Sequence, residues 1–442
     1  MKLICGLDRL QNNLEGFIQQ GEEYVRDAAT GRSFVHCLRD RSLMRRAASA
    51  VLPPHGSISL ALDVGGTHTK AAIAYFTQEK ETWELLFDSE NSHFLDSSSS
   101  RLPIESFCAR VAAQCGDLML RSGYAPSAVR SVSVVWSNQI DSAPVVRSGV
   151  SGVTGLVNGI AVGTYRKNEW FVSGLHDGYD LGTLFLDSFQ QCGFEPKVFL
   201  MGNDTVFTLT ALPGAHAGVV ASSGGNCTDV GVLGTEEDFI FNTELGSLFK
   251  IATPHLSEGD LALAASTGMP VALEDLLSGK WLPALLDKHV LAAARAGASE
   301  LQSVAATINT AGQFFTMPVI SNLLSDSSAT ESLPFDDARC STVREIASYV
   351  VARAGVAAGA LCYFSVFNQI CAGRNDLTVA LDSAMARYVP GYLTALESTF
   401  SALLERRGVN GTTVLLQPRV LADGQLISVP VIGAIRAGAL WT

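Results

Sequence analysis

The run Leu62-Asp63-Val64-Gly65-Gly66-Thr67-His68-Thr69-Lys70 constrains this chain more than any other. It lies between two stretches rich in strand formers, residues 57–62 and 71–76. Two apolar strands around a Gly-Gly tip predict a β-hairpin, because glycine accepts the positive φ that tight tips need. Glycine also removes the Cβ atoms that keep a ligand off the backbone. Successive free N–H groups at such a tip form an anion-binding nest. Gly65 and Gly66 would supply that nest, with a hydroxyl from Thr67 and a positive charge from Lys70. Asp63, just before the tip, is placed to hold a Mg²⁺ ion through water. An ordinary tight hairpin with a chance aspartate has the same local pattern, so the rest of the chain must decide.

Strand and helix signals alternate after the hairpin. Helical spacing runs over 104–122 and 181–192, and short buried strands are expected at 132–136 and 197–201. Ahead of the hairpin, 8–31 reads as a helix and 39–51 as a second, basic one. This alternation predicts an α/β protein. From residue 218 the pattern begins again. A strand over 218–221 leads into the small-residue turn Ser222-Ser223-Gly224-Gly225-Asn226, and further strands follow at 230–233 and 239–241. Two β-rich beginnings, each followed by helices, predict two similar domains with a cleft between them. Helices dominate 257–369. Residues 377–381 and 412–416 then read as strands, and 391–406 and 430–439 as helices.

Composition narrows the function classes. The 442 residues are enough for two or three units of ordinary size. Apolar content of 47% and charged content of 17% allow a sizeable core and exclude global disorder. A net charge of −12 argues against a nucleic-acid or acidic-membrane surface. The nine cysteines form no Cys-x-x-Cys pair, as expected of reduced thiols in a cytoplasmic protein. The start carries charge where a signal peptide would be apolar, and the apolar run 350–367 contains Arg353 and reads as a buried helix. No nucleic-acid or membrane partner is therefore expected, and no protein partner can be inferred from the sequence. No zinc, Gly-x-Ser-x-Gly or P-loop pattern occurs.

Several residues stand where a reaction at a sheet edge needs them. The strand over 197–201 delivers Gly202-Asn203-Asp204-Thr205. A carboxylate just past a buried strand end suits a ligand crevice. Asp204 could take a proton from a hydroxyl attacking phosphorus, and Asn203 could hold a neighbouring hydroxyl. The same triplet also reads as a helix cap. Ser223 and Gly224 offer donors to a phosphate, and Asn226 closes their turn. Asn242-Thr243-Glu244-Leu245-Gly246 follows another strand. Glu274 opens the apolar helix 273–277, where a lone glutamate also reads as a solvated charge. Asp382 and Ser383 follow the strand 377–381, which suits an adenosine pocket or a further cap.

In order, these segments resemble the motifs of the hexokinase family of actin-like sugar kinases, over roughly residues 57–440. Leu62-Asp63-Val64-Gly65-Gly66-Thr67 is similar to the family's first phosphate motif, with Lys70 where arginine is usual. Asn203-Asp204-Thr205 resembles its catalytic segment. Ser222-Ser223-Gly224-Gly225-Asn226 resembles its second phosphate turn, Gly-Thr-Gly-x-Asn, with Ser222 where glycine is usual. Residues 242–246 match its Asn-Thr-Glu-x-Gly, residues 273–281 resemble the segment carrying its second sugar glutamate, and residues 380–384 resemble its adenosine motif. The sugar loop departs from the family. Its Ser-Phe-Pro is here Ser137-Asn138-Gln139, and its Thr-Lys-Gly-Phe is nearest Lys167-Asn168-Glu169-Trp170, with no threonine. A late Gly-Ser-Gly-Lys-Gly-Ala turn is not visible.

The resemblance implies two actin-like (ribonuclease H-like) domains with mixed sheets flanked by helices. It implies an N-terminal helical segment 1–56 packing on the large domain, a small domain 57–202, a large domain 203–430, and a C-terminal helix 431–442 returning to the small domain. It implies ATP and Mg²⁺ as cofactors and transfer of phosphate to the 6-hydroxyl of a hexose such as glucose, the first reaction of glycolysis. Asp204 would be the base. Ser137, Lys167, Asn203, Asn226, Glu244 and Glu274 would hold the sugar. Asp63, Gly65, Gly66, Thr67, Lys70, Ser223, Gly224, Asp382 and Ser383 would serve the nucleotide and its metal. The altered sugar loop leaves two alternatives, a kinase for an amino or N-acyl hexose and a sugar-binding regulator with impaired catalysis.

Overall fold

A computed structural model describes residues 14–29, 36–38, 55–65, 68–77, 82–85, 93–96, 102–138, 140–141, 153, 155–156, 159–161, 172–232, 238–325, 337–420 and 426–440. The expected hairpin is present as strands β1 (Ile58–Val64) and β2 (His68–Thr77), antiparallel with Asp63 opposite Lys70 and Val64 opposite Thr69. Strands β3 (Val129–Trp136) and β4 (Val198–Asn203) extend the sheet with parallel pairing, β1 to β3 and β3 to β4. Thr82–Leu85 pairs with the far side of β2. The expected helix 39–51 lies outside the described residues.

The chain divides into two compact units that interleave along the sequence. One comprises Phe34–Gly218, Val230–Asn242 and Leu416–Thr442, and contains this sheet. Successive side chains of a strand point to opposite faces. Leu60, Leu62 and Val64 of β1 therefore join Val132, Val134 and Trp136 of β3 in one core, closed by Phe107 and Val111 of helix Ile104–Arg121 and Phe185 and Phe189 of helix Leu181–Gln191. The opposite face carries small residues, with Ser59 and Ser131 hydroxyls 2.6 Å apart. Helix Val429–Leu440 packs on that face. A Cβ added at Gly438 would lie 2.7 Å from the Ser131 hydroxyl, and one at Gly433 would lie 1.7 Å from the Phe207 carbonyl. These two glycines let the last helix approach the sheet and helix Asp204–Ala211.

The other unit comprises Met1–Ser33, Val219–Asp229 and Thr243–Leu415. Strand β5 (Ala217–Ala221) forms an antiparallel hairpin with β6 (Gly225–Val232), and β7 (Asp376–Asp382) runs parallel to β8 (Asn410–Leu415). The second hairpin is tighter than expected, since Gly225 and Asn226 already belong to its second strand. Helix Asp337–Phe364 contains the apolar run noted in the sequence. It is long and apolar enough to cross a membrane, yet 83% of its apolar window is buried within the chain. Gly355 and Gly359 allow it to pack against helix Tyr392–Glu405, because a Cβ at either would lie 2.5 Å from a carbonyl of that helix. Its Arg353 is buried and forks onto Asp260, with Nη1 donating to Oδ1 at 2.7 Å and Nη2 to Oδ2. Asp260 also closes the capping box of helix Glu258–Thr267 with Ser257. Burial alone would raise the Asp260 carboxyl, but Arg353 outweighs it and holds the group below the usual range. Helix Leu14–Ala29 joins this unit through Glu22, which accepts from Tyr363 and Arg407.

His289 is 1% exposed beside this ion pair, and burial pushes its pKa down to about 4. The folded chain keeps the ring neutral, while the unfolded chain takes a proton below about pH 6.5. Stability should therefore fall as pH drops from about 6.5 to about 4, by on the order of 3 kcal/mol from this group. Urea denaturation at pH 7 and pH 5 should show that slope reduced in His289→Gln. An unchanged slope in a folded variant would show that His289 is not its source.

Candidate functional site

The parallel register of β1, β3 and β4 aligns Val64 with Trp136 and Trp136 with Asn203. Three strands thus end at one edge of the sheet, where ligands of open α/β sheets bind. Asp63 lies one residue before the end of β1, and its carboxylate accepts from Ser428 Oγ at 2.8 Å. Asp204 follows β4 directly as the first residue of helix Asp204–Ala211 and is partly exposed. Asp63 is in register with Val135 and Val135 with Gly202, so Asp204 lies two strands across and two residues beyond Asp63.

Asn203 both caps the helix and braces the site. Its Oδ1 accepts from Thr205 N at 3.1 Å and Thr205 Oγ1 at 2.8 Å, while its Nδ2 donates to the carbonyls of Trp136 and Asn138 at 3.3 Å. Capping and the placement of Asp204 are therefore compatible. The sugar contact expected of Asn203 would require one of these bonds to be exchanged. Ser137 is held over β1 by its N–H, which donates to the Val64 carbonyl at 3.4 Å. Asn138 has a buried amide nitrogen with no hydrogen-bond partner among the described residues. A buried donor left unmade costs about 1–3 kcal/mol, which makes Asn138 a candidate contact that sequence reasoning did not single out. Gly65 follows β1, but Gly66, Thr67 and Lys167 lie outside the described residues.

A second set of expected residues gathers in the other unit around Gly225 and Asn226. Asn226 Nδ2 donates to Glu244 Oε1 at 3.2 Å, and Ser247 Oγ donates to Glu244 Oε2 at 3.3 Å. The Gly225 N–H reaches Glu274 Oε2 at 3.5 Å. Glu244 sits at φ 47°, the only non-glycine residue at positive φ among the described residues. Such strain persists only where the surroundings over-determine it. Here Thr243 bonds twice to the Cys227 carbonyl, and a Cβ at Gly246 would lie 1.5 Å from the Gly225 carbonyl. Gly246 is thus required for the segment to dock against the turn.

Ser223 is exposed and Gly224 partly exposed at the tip of the second hairpin. Asp382 and Ser383 lie nearby in the fold but are buried and already engaged. Arg387 Nη2 donates to Asp382 at 2.9 Å, and burial, opposed by Arg387, raises the Asp382 carboxyl above its ordinary range. The Ser383 hydroxyl donates to the Ala221 carbonyl and caps helix Ala384–Tyr388.

Residues 222–426 match the family model described as Hexokinase. Over this span the chain is similar to the hexokinase family. The matched span contains the turn at 222–226, Glu244, Glu274, Asp382 and Ser383. The fold agrees across nearly the whole chain. The hexokinase of Schistosoma mansoni, solved with glucose, is 14% identical with a TM-score of 0.69, covering 98% of both chains. A second hexokinase crystal structure is 16% identical with a TM-score of 0.63, covering 98% of this chain and 94% of the other. No curated protein sequence matches the chain. The hexokinase fold is the actin-like α/β architecture that the motif order implied.

Both glutamates have partners in the second set, so neither is a lone surface charge. Replacing Glu244 or Glu274 by glutamine keeps size but exchanges a charged acceptor for a neutral amide. Each variant should raise the KM for glucose by about tenfold or more and leave ATP binding nearly unchanged. Steady-state kinetics over the two substrates reads both effects. Wild-type dependence on every hexose in both variants would remove these residues from the sugar site.

Proposed function

We propose that the chain is an ATP-dependent hexose 6-phosphotransferase. The observation that carries this reading is Asp204 at the parallel-strand edge, two strands from Asp63, in a chain with a hexokinase segment. Phosphoryl transfer demands positioning and charge neutralisation more than covalent chemistry from the protein. The 6-oxygen of the sugar attacks the γ-phosphorus, the bond from phosphorus to the β–γ bridging oxygen breaks, and ADP leaves. Asp204 takes the proton of the attacking hydroxyl. Asn203 fixes the loop beside it, with Ser137 and Lys167 contacting the sugar. Asn226, Glu244 and Glu274 hold the other hydroxyls.

Gly65, Gly66, Thr67, Lys70, Ser223 and Gly224 are assigned to the phosphates, and Asp382 and Ser383 to the nucleoside side. Asp63 and Ser428 together fit a hydrated Mg²⁺, since this ion keeps several waters and needs only one or two carboxylates besides phosphate oxygens. When bound, Mg²⁺ supplies charge neutralisation on the phosphates. Exclusion of water from the reacting atoms is needed as well, because water competes as acceptor. One observation favours a second reading, an amino or N-acyl hexose as acceptor. The Asn138 amide, without a partner among the described residues, lies in the altered sugar loop and would donate to a further oxygen of the substrate.

Asp204→Ala should lower single-turnover transfer by about 10²–10⁴ while glucose binding stays close to wild type. Stopped transfer assays beside a glucose titration test this. A variant that keeps more than about a tenth of the wild-type rate would show that Asp204 is not the base.

A further inference from the structure

Ser222 stands where the hexokinase turn usually has glycine, and all three of its polar positions are engaged. Its N–H donates to the Gly224 carbonyl at 2.9 Å and its carbonyl accepts from Gly279 N at 2.7 Å. A glycine would make both bonds equally well. The third bond belongs to the side chain alone: Ser222 Oγ accepts from Ala384 N at 3.0 Å. Ala384 is the first residue of helix Ala384–Tyr388, whose cap, Ser383, serves Ala386 N instead. The Ala384 N–H therefore takes its acceptor from a hydroxyl 162 residues away. The Ser383 hydroxyl returns the tie by donating to the Ala221 carbonyl at 2.5 Å.

Three segments meet at Ser222. One is the turn carrying Ser223 and Gly224. The second is Gly279, just after the short helix Leu273–Leu277 that carries Glu274. A side chain there would be tight, since a Cβ would lie 3.0 Å from Met385 Sδ and 3.3 Å from the Ser222 carbonyl. The third is the helix that follows Asp382. The far end of the same turn reaches Glu274 through Gly225 N. The hydroxyl of Ser222 thus ties the start of the phosphate turn to the nucleoside-side helix, beside the Ser383 hydroxyl that bonds to the Ala221 carbonyl.

We infer that Ser222 is a positioning residue for the phosphate donor, holding Ser223 and Gly224 in the conformation that receives the phosphates of a nucleoside triphosphate. This rests on the proposed kinase reading. Binding is strengthened when the receiving loop is ordered beforehand, since less ordering is left for the ligand to impose. Glucose contacts lie at the other end of the turn, so they should be little affected.

The test compares Ser222→Ala, Ser222→Gly and Ser222→Thr with the wild-type chain. MgATP and glucose are titrated separately by calorimetry, and turnover and melting temperature are measured beside them. Losing one hydrogen bond of this kind should raise the Kd and KM for ATP about fivefold in the alanine and glycine variants. The kcat and the Kd for glucose should stay within about twofold on the same reasoning, and threonine, which keeps the hydroxyl, should restore ATP affinity. Wild-type ATP affinity in the alanine and glycine variants would overturn the proposal and leave the kinase reading intact. Equal losses for ATP and glucose, or failure of both variants to fold, would make Ser222 purely structural and overturn it too. A wild-type chain that binds no ATP would instead overturn the kinase reading, and this inference with it.

Discussion

The parallel pairing of β1 with β3 and of β3 with β4 is the constraint on which the candidate chemistry depends. Its register decides that Val64, Trp136 and Asn203 end their strands together. A slip of one residue would reverse which face each side chain occupies. Asp63 would then leave the face that meets Ser428, and Leu60, Leu62 and Val64 would leave the core. Core packing and site geometry are consequences of the same alternation. The small-residue face opposite the core is equally necessary. Gly433 and Gly438 let the last helix close on it, and Ser428, just before that helix, thereby reaches Asp63.

The second unit uses backbone proximity for the same purpose. Gly246 packs against the Gly225 carbonyl, Thr243 bonds to Cys227, and Glu244 is held in a left-handed conformation that a solvated glutamate would have no reason to adopt. The backbone of Glu244 is therefore fixed by short contacts, and the Asn226 and Ser247 side chains hold its carboxylate. Such fixation keeps side chains near one geometry, which a binding site requires. The same segment accounts for why a short sequence motif can be informative: each of its members has a separate steric or hydrogen-bonding duty.

Local features were legible in the sequence because local chemistry produces them. The paired strands of the first hairpin, the buried strands before Asp204 and Asp382, and the small-residue turn at Ser222 follow from periodicity and turn preference. The resemblance in motif order then carried the fold. What was not legible is what distant segments do to one another. Ser428 is 365 residues from Asp63, and Arg353 is 93 from Asp260. Nothing within a window of sequence marks such partners. The choice between cap and catalytic residue at Asn203-Asp204-Thr205 was likewise undecidable locally. The structure allows both, since Asn203 caps while Asp204 occupies the strand edge. The small-residue turn was read two residues too long, because Gly225 and Asn226 pair with β5 rather than bend.

The central claim is that these residues serve phosphate transfer to a hexose. The most direct measurement is ADP formation from MgATP with glucose, mannose, fructose and N-acetylglucosamine offered one at a time, with the product's phosphate located by NMR. The account predicts ADP release that depends on a hexose, and a phosphate on its 6-oxygen. ADP release no greater with any of these sugars than without one would contradict it.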